Sequence, residues 1–269
     1  MLVTNRRQFL RAGALGVAGV LVARGALAQG PASAGPVDPK LLEDLMAANR
    51  ILADQGVVDG YGHVSLRHPA DPQRYLMSRS IAPELVTVAD IMEYDLDSTA
   101  VDARGRTSYL ERFIHGEIYR VRPDVLAIVH DHSPSIIPFG VSTVPLRPLY
   151  HMSAFLGGGV PVFDIRKASA QPTDMLVRDA ALGRALAQTL GARPVALMRG
   201  HGAVVVGASL PVVVFRSVYT EMNARLQAQA MALGPVTYLD DEEARRAEAS
   251  VGSTISRPWE LWKKKALAR

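Results

Sequence analysis

Val125-Leu-Ala-Ile-Val-His-Asp-His132 opens as a continuous apolar run and ends on two histidines one residue apart. The apolar half reads as a buried strand. Residues i and i+2 of a strand project to the same side, so the imidazoles of His130 and His132 can face one ion. Upstream, Ser108 to Val121 reads as a helix with Thr107 or Ser108 as its cap and Arg122-Pro123 as its end. On that helix Glu111 and His115, four apart, share a face, either as a solvated pair or as a functional one. Downstream, the apolar runs Pro194 to Met198 and Ala203 to Val206 are joined by Arg199-Gly-His-Gly202 and read as a hairpin. The glycines flanking His201 allow a sharp turn and close approach of the backbone. Three neutral imidazoles suit a divalent ion and leave it an open position, as catalytic sites require. The plainer alternatives are solvated loop histidines for the His-x-His pair and a simple turn for residues 199–202.

The rest of the chain alternates helix and strand patterns. Leu41 to Asp54 has apolar residues at helical spacing, and Val64–Arg67 and Arg74–Met77 are strand-like around a Pro69-Ala-Asp-Pro72 turn. Val88 to Tyr94 reads as a further strand and Asp102 to Gly105 as a turn. Thr173 to Leu190 reads as a helix with a Thr-Asp start and a Gly191 stop, and a long helix covers about Leu210 to Leu233. From Val236 the sequence is charged and carries Trp259 and Trp262. There is no internal repeat. With 269 residues, 48% of them hydrophobic, the chain suffices for one sizeable domain or at most two small ones. The interleaving predicts a layered α/β domain over 41–235, followed by a C-terminal extension at 236–269.

The first 28 residues read differently. Asn5-Arg-Arg-Gln-Phe-Leu-Arg11 resembles the twin-arginine export signal, an apolar run from Ala12 to Ala23 follows, and Ala26-Leu-Ala28 supplies a small-x-small cleavage pattern. That run is shorter than the roughly 20 residues a membrane span needs, so no stable span is expected after processing. Cleavage before Gln29 would leave a Pro/Ala/Gly-rich linker to residue 40 and a periplasmic protein that meets the twin-arginine export machinery in folded form. The absence of cysteine fits a protein that needs no disulfide framework there. Folding before export also lets the compartment of synthesis choose the ion. The leader accounts for the basic balance too. It holds Arg6, Arg7, Arg11 and Arg24 and no acidic residue; without these four, 26 basic residues stand against 26 acidic ones. No nucleic-acid partner follows from the charge.

Taken together, Glu111-Arg-Phe-Ile-His115, Arg122-Pro-Asp124, the apolar strand into His130-Asp-His132, and Arg199-Gly-His-Gly202 resemble the core of the class II aldolase/adducin family over roughly residues 41–235. In that family a catalytic Glu precedes the first ligand histidine by nineteen positions, the separation of Glu111 and His130 here. Gly62-His-Val-Ser-Leu-Arg67 is similar to its Gly-Asn-x-Ser-x-Arg loop. The resemblance implies a three-layer α/β/α sandwich with a mixed, largely antiparallel sheet, and a homotetramer with active sites at subunit interfaces. It implies one divalent ion per chain (zinc, manganese or iron) on His130, His132 and His201, with Glu111 as acid/base.

Two departures bear on the substrate. Where sugar-phosphate aldolases carry a Ser-Ser pair before the catalytic Glu, this chain has Tyr109 and Leu110, which offer a phosphate no comparable donors. Where the family loop has Asn, this chain has His63, similar to the branch that decarboxylates hydroxylated aromatic acids; the alternative is a loop histidine bonded to backbone. Ser65, Arg67, Ser78 and Arg79, with His63 and His115, are candidates to bind substrate, Arg being suited to a carboxylate by its planar fork. The resemblance thus implies a lyase acting on a small non-phosphorylated hydroxy- or keto-acid through a metal-stabilised enediolate or carbanion, with decarboxylation ahead of aldol cleavage. A non-catalytic adducin-like binding module and a metal-dependent oxygenase on the same fold are the competing readings. For the leader, Arg6→Lys with Arg7→Lys should strand the precursor in the cytoplasm on fractionation; unchanged export would remove the twin-arginine reading.

Overall fold

The computed structural model describes residues 31–268, so the leader, its arginine pair and its cleavage pattern lie outside the described residues. In chain order the elements are α1 (Pro39–Asp54), β1 (His63–Arg67), β2 (Arg74–Ser78), β3 (Ile91–Asp95), α2 (Phe113–Val121), β4 (Ala127–Asp131), the short α3 (Ile137–Val141), β5 (Val162–Phe163), α4 (Ala180–Leu190), β6 (Val195–Met198), β7 (Gly202–Gly207), α5 (Leu210–Leu233), α6 (Asp241–Gly252) and α7 (Ser256–Leu267). Among the described residues the strands form one seven-stranded sheet in the order β3-β2-β1-β4-β7-β6-β5. β5 and β6 pair in parallel and every other neighbour is antiparallel. Helices cover both sides, giving the three-layer α/β/α architecture with a mixed, largely antiparallel sheet. No described helix is long and apolar enough to cross a membrane.

Strand alternation sorts the side chains between the two covers. Val64, Leu66, Ala127, Val129, Val205 and their neighbours join one apolar cluster with residues of α1, α5 and α7. The intervening Tyr75, Met77, Ile128, Val204 and Val206 join a second cluster with α2 and α4. β1 obeys the same alternation but spends its α2-facing positions on His63, Ser65 and Arg67, all buried. Polar groups there must find partners, because an unpaired buried donor costs about 1–3 kcal/mol. Arg67 does so with four of its five N–H groups: its guanidinium donates to the carbonyls of Pro72, Tyr119, Arg122 and Val125 at 2.6–2.9 Å. It thereby ties the end of α2 to the sheet.

Three element boundaries differ from the sequence expectation. The helix predicted from Ser108 begins only at Phe113, after a kinked 3₁₀ turn at Leu110–Arg112. Ser108 does not cap it; its hydroxyl accepts from Tyr94 instead. The helix predicted from Thr173 begins at Ala180, capped by Asp179, whose side chain accepts from the Leu182 N–H. The strand predicted from Val88 is a 3₁₀ turn to Asp90 and a strand only from Ile91. At the other end of the chain, Trp259 and Trp262 of α7 are buried in the same cluster as Leu45 of α1 and Val213 of α5. Lys263 adds ion pairs to Glu43 and Asp44 at 2.9 and 2.5 Å. Trp259→Ala should therefore lower unfolding free energy by about 3–5 kcal/mol in urea titration. A loss below about 1 kcal/mol would make α7 an appendage to the core.

Candidate metal centre and cleft

His63 and His130 are opposite each other in the β1–β4 ladder, so antiparallel pairing sets them side by side on the α2 face, with His132 just beyond. Gly62 makes this approach possible: its φ is +95°, and a Cβ there would sit 2.6 Å from Val58 Cγ1 and 3.0 Å from the His130 carbonyl. Gly202 does the same for the third histidine, since a Cβ would collide with the Asp131 carbonyl. The His201 turn is thus pressed against the end of β4.

The three Nε2 atoms converge. His132 Nε2 lies 3.2 Å from His130 Nε2 and 3.0 Å from His201 Nε2. Glu111 Oε2 lies 3.3 Å from His130 Nε2 and 3.4 Å from His201 Nε2. One ligand atom from each of the four residues falls within 4.8 Å of every other. The tautomers of two rings follow from their far sides. His130 Nδ1 donates to the Ala203 carbonyl and His201 Nδ1 to the Met175 carbonyl, each at 2.9 Å. A carbonyl can only accept, so Nδ1 carries the proton and Nε2 offers its lone pair inward. Glu111 sits in the turn before α2, at φ −89° and ψ 16°, and its Oε1 accepts from the Val177 N–H at 2.9 Å.

Electrostatics agree with the geometry. Burial alone would raise the Glu111 carboxyl, but His130 and then His201 outweigh it and hold it well below the ordinary carboxylate range. Burial would lower His130, yet the facing Glu111 raises it. Burial, with His130 and His201 beside it, brings His132 down to about 4. Burial likewise lowers His63 well below its ordinary value and His115 to about 3. Within the cluster the Glu111 carboxylate is thus the group that favours positive charge beside it. Three imidazole nitrogens and a carboxylate oxygen suit a divalent ion there, and this group can hold one.

The centre opens into a cleft of about 300 Å³ walled by Tyr61, Ile81, Ala82, Tyr109, Leu110 and Leu176, with His63, Ser80, Glu111, His130 and His132 also on its surface. No described Lys or Arg lines it. Of the residues expected to bind substrate, only His63 reaches this wall. Arg67, expected as a carboxylate fork, instead directs its donors to four carbonyls. Ser65 and His115 are buried and bond to each other at 2.6 Å. Ser78 is buried against the Tyr109 hydroxyl, and Arg79 pairs with Asp90 at 2.6 Å. Sequence reasoning missed residues 175–177, which supply a carbonyl to His201, a wall residue and an N–H to Glu111. Met175 adopts a φ of +77°, a costly conformation for a side-chain-bearing residue. The available signal was Asp179, a helix cap closer to the true start than Thr173.

Comparison with known proteins bears on the family and the fold. A family model described as Class II Aldolase and Adducin N-terminal domain matches residues 43–228. The decarboxylase tropJ of Talaromyces stipitatus is 38% identical over 235 residues, covering 79% of this chain and 88% of that protein. A 3,4-dihydroxyphthalate decarboxylase of Arthrobacter keyseri is 30% identical over 207 residues, 71% of this chain and 79% of that one. Among solved structures, L-fuculose 1-phosphate aldolase from Glaciozyma antarctica superposes with a TM-score of 0.71 at 23% identity, over 86% of this chain and 93% of the other, a likeness of fold. The curated relatives support a carbon–carbon lyase. With its matched domain, its sheet and its Glu/His cluster, the chain belongs to the class II aldolase/adducin family.

Proposed function

We propose that the chain is a divalent-metal-dependent decarboxylase of small hydroxylated aromatic acids. The observation that carries this reading is the convergence of Glu111 and the three histidine Nε2 atoms beside a cleft with aromatic and aliphatic walls, which Glu111, His130 and His132 help to line. An aromatic ring suits Tyr109, Ile81, Leu110 and Leu176, whereas a sugar phosphate would find no cationic side chain among the described residues that line this cleft. A carboxylate brought against such a wall loses hydration without gaining an ion pair, and loss of carbon dioxide relieves that state. The names of the two curated relatives support the same class.

His130, His132 and His201 would hold the ion, which supplies Lewis acidity toward the oxygens of the substrate. The protein's own groups do the rest. The carbonyls of Ala203 and Met175 keep two of the imidazoles in the ligating tautomer. Val177 N–H pins Oε1 of Glu111, and Oε2 lies beside the Nε2 atoms of His130 and His201. As the ring-to-carboxyl bond breaks, carbon dioxide departs and the electron pair stays on the ring carbon. That carbon takes a proton from Glu111 Oε2, which received it from a substrate hydroxyl on binding. Export to the periplasm and assembly as a homotetramer complete the proposal, on the strength of the leader and of the family resemblance.

Glu111→Gln keeps the shape of the side chain but removes the proton carrier. With saturating zinc or manganese, release of carbon dioxide from a panel of hydroxylated benzoic and phthalic acids should fall by roughly 10²–10⁴-fold relative to the unaltered chain. Metal content should survive on the three histidines. Near-normal turnover by this variant would remove Glu111 from the chemistry, and absence of carbon dioxide from every acid with the unaltered chain would remove the decarboxylase reading.

A further inference from the structure

Beneath α2 a chain of hydrogen bonds leads from the cleft wall into the core. His63 Nδ1 lies 2.7 Å from His115 Nε2, His115 Nδ1 lies 2.6 Å from Ser65 Oγ, and Ser65 Oγ lies 2.8 Å from the Tyr119 hydroxyl. The Tyr119 hydroxyl donates onward to the Leu126 carbonyl in a long contact of 3.4 Å. All four side chains are buried. Metal binding at the four-residue cluster uses none of them, and a helix needs no such network to cover a sheet that elsewhere packs through Ile114, Ile118 and Val204.

A chain of this kind has two self-consistent directions, and its ends select one. The Leu126 carbonyl can only accept, so Tyr119 gives its proton outward and its oxygen accepts from Ser65. Ser65 then accepts from His115 Nδ1–H, and His115 Nε2 accepts from His63 Nδ1–H. At the other end, the His63 ring stands 5.1 Å from the His130 ring and 4.6 Å from that of Tyr109. A divalent ion held in the adjacent centre would favour a lone pair over an N–H dipole on the near side of this ring. Both ends leave His63 Nε2 without a proton. That nitrogen makes no hydrogen bond to any described residue, and its ring lines the cleft.

We propose that His63, held in its Nδ1–H tautomer by the His115–Ser65–Tyr119 chain, presents Nε2 to the cleft as the acceptor for a hydroxyl group of the substrate. His115, Ser65 and Tyr119 are then positioning residues that act through His63. This assignment deepens the decarboxylase reading by requiring a free hydroxyl on the aromatic acid. Its direct test does not depend on that reading.

The test is ¹⁵N NMR of the histidine-labelled full chain, with and without zinc, which reads the protonated ring nitrogen of His63. In both samples the proton should be on Nδ1. Tyr119→Phe frees the Ser65 hydroxyl to donate to His115, so the chain reverses and the His63 proton should move to Nε2. Catechol, a non-reacting probe with two phenolic hydroxyls, should then bind the zinc-loaded variant about threefold to tenfold more weakly than the unaltered protein, the loss of one hydrogen bond. Ser65→Ala, which cuts the chain, should weaken it comparably. A proton on His63 Nε2 in the unaltered protein overturns the proposal whether or not the variants fold. So do folded variants that bind catechol as tightly as before, which would leave the network a purely structural role. A protein that passes the NMR test yet decarboxylates no acid would separate failure of the functional reading from failure of this one.

Discussion

A fold that gathers three imidazole lone pairs and a carboxylate oxygen into one small volume must bring a positive charge there. Four acceptors facing one another repel, and burial denies them water. The surrounding structure is arranged around that requirement. β4 and β7 carry His130 and His201 to the same end of the sheet, the glycines beside them permit the close approach, and two backbone carbonyls hold both rings with Nε2 inward. The facing charges of Glu111 and His130, which depress the carboxyl and raise the imidazole, express the same preference for positive charge beside Glu111.

The sheet separates two kinds of chemistry by alternation alone. Its α1/α5/α7 side is an apolar layer, while the α2/α4 side mixes aliphatic packing with a polar band of His63, Ser65, Arg67 and His130. α2 closes that band, contributing His115 and Tyr119 to the hydrogen-bond chain and lending the carbonyls of Tyr119 and Arg122 to Arg67. The turn that precedes it brings Glu111 to the metal cluster. One short helix and its lead-in thus seal the core, brace the sheet and complete the site.

Much of this was legible in the residues. The apolar run into His130-Asp-His132 and the Gly-His-Gly turn announce local geometry, so the strands and the hairpin follow from the residues, whereas Glu111 joined the cluster only through the family resemblance. What stayed hidden depended on contacts between distant segments. Arg67 looks like a carboxylate fork because the four carbonyls that occupy it come from the 72 turn, the end of α2 and the start of β4. Thr173-Asp174 looks like a helix start because Met175, Leu176 and Val177 could continue an apolar helix face. In the fold those residues are drawn out to serve His201, the cleft and Glu111, and Asp179 starts the helix instead. The charge-rich C-terminus likewise concealed two tryptophans that belong to the core.

The central claim is that a divalent cation occupies the point where Glu111, His130, His132 and His201 converge. X-ray absorption at the metal edge, on protein purified without added chelator and quantified for metal, tests it most directly. The account predicts about one divalent ion per chain with three imidazole nitrogens and one or more oxygens around it, and loss of most of that metal in His130→Ala and His201→Ala. A spectrum without imidazole scattering, or full metal occupancy in both variants, would contradict it.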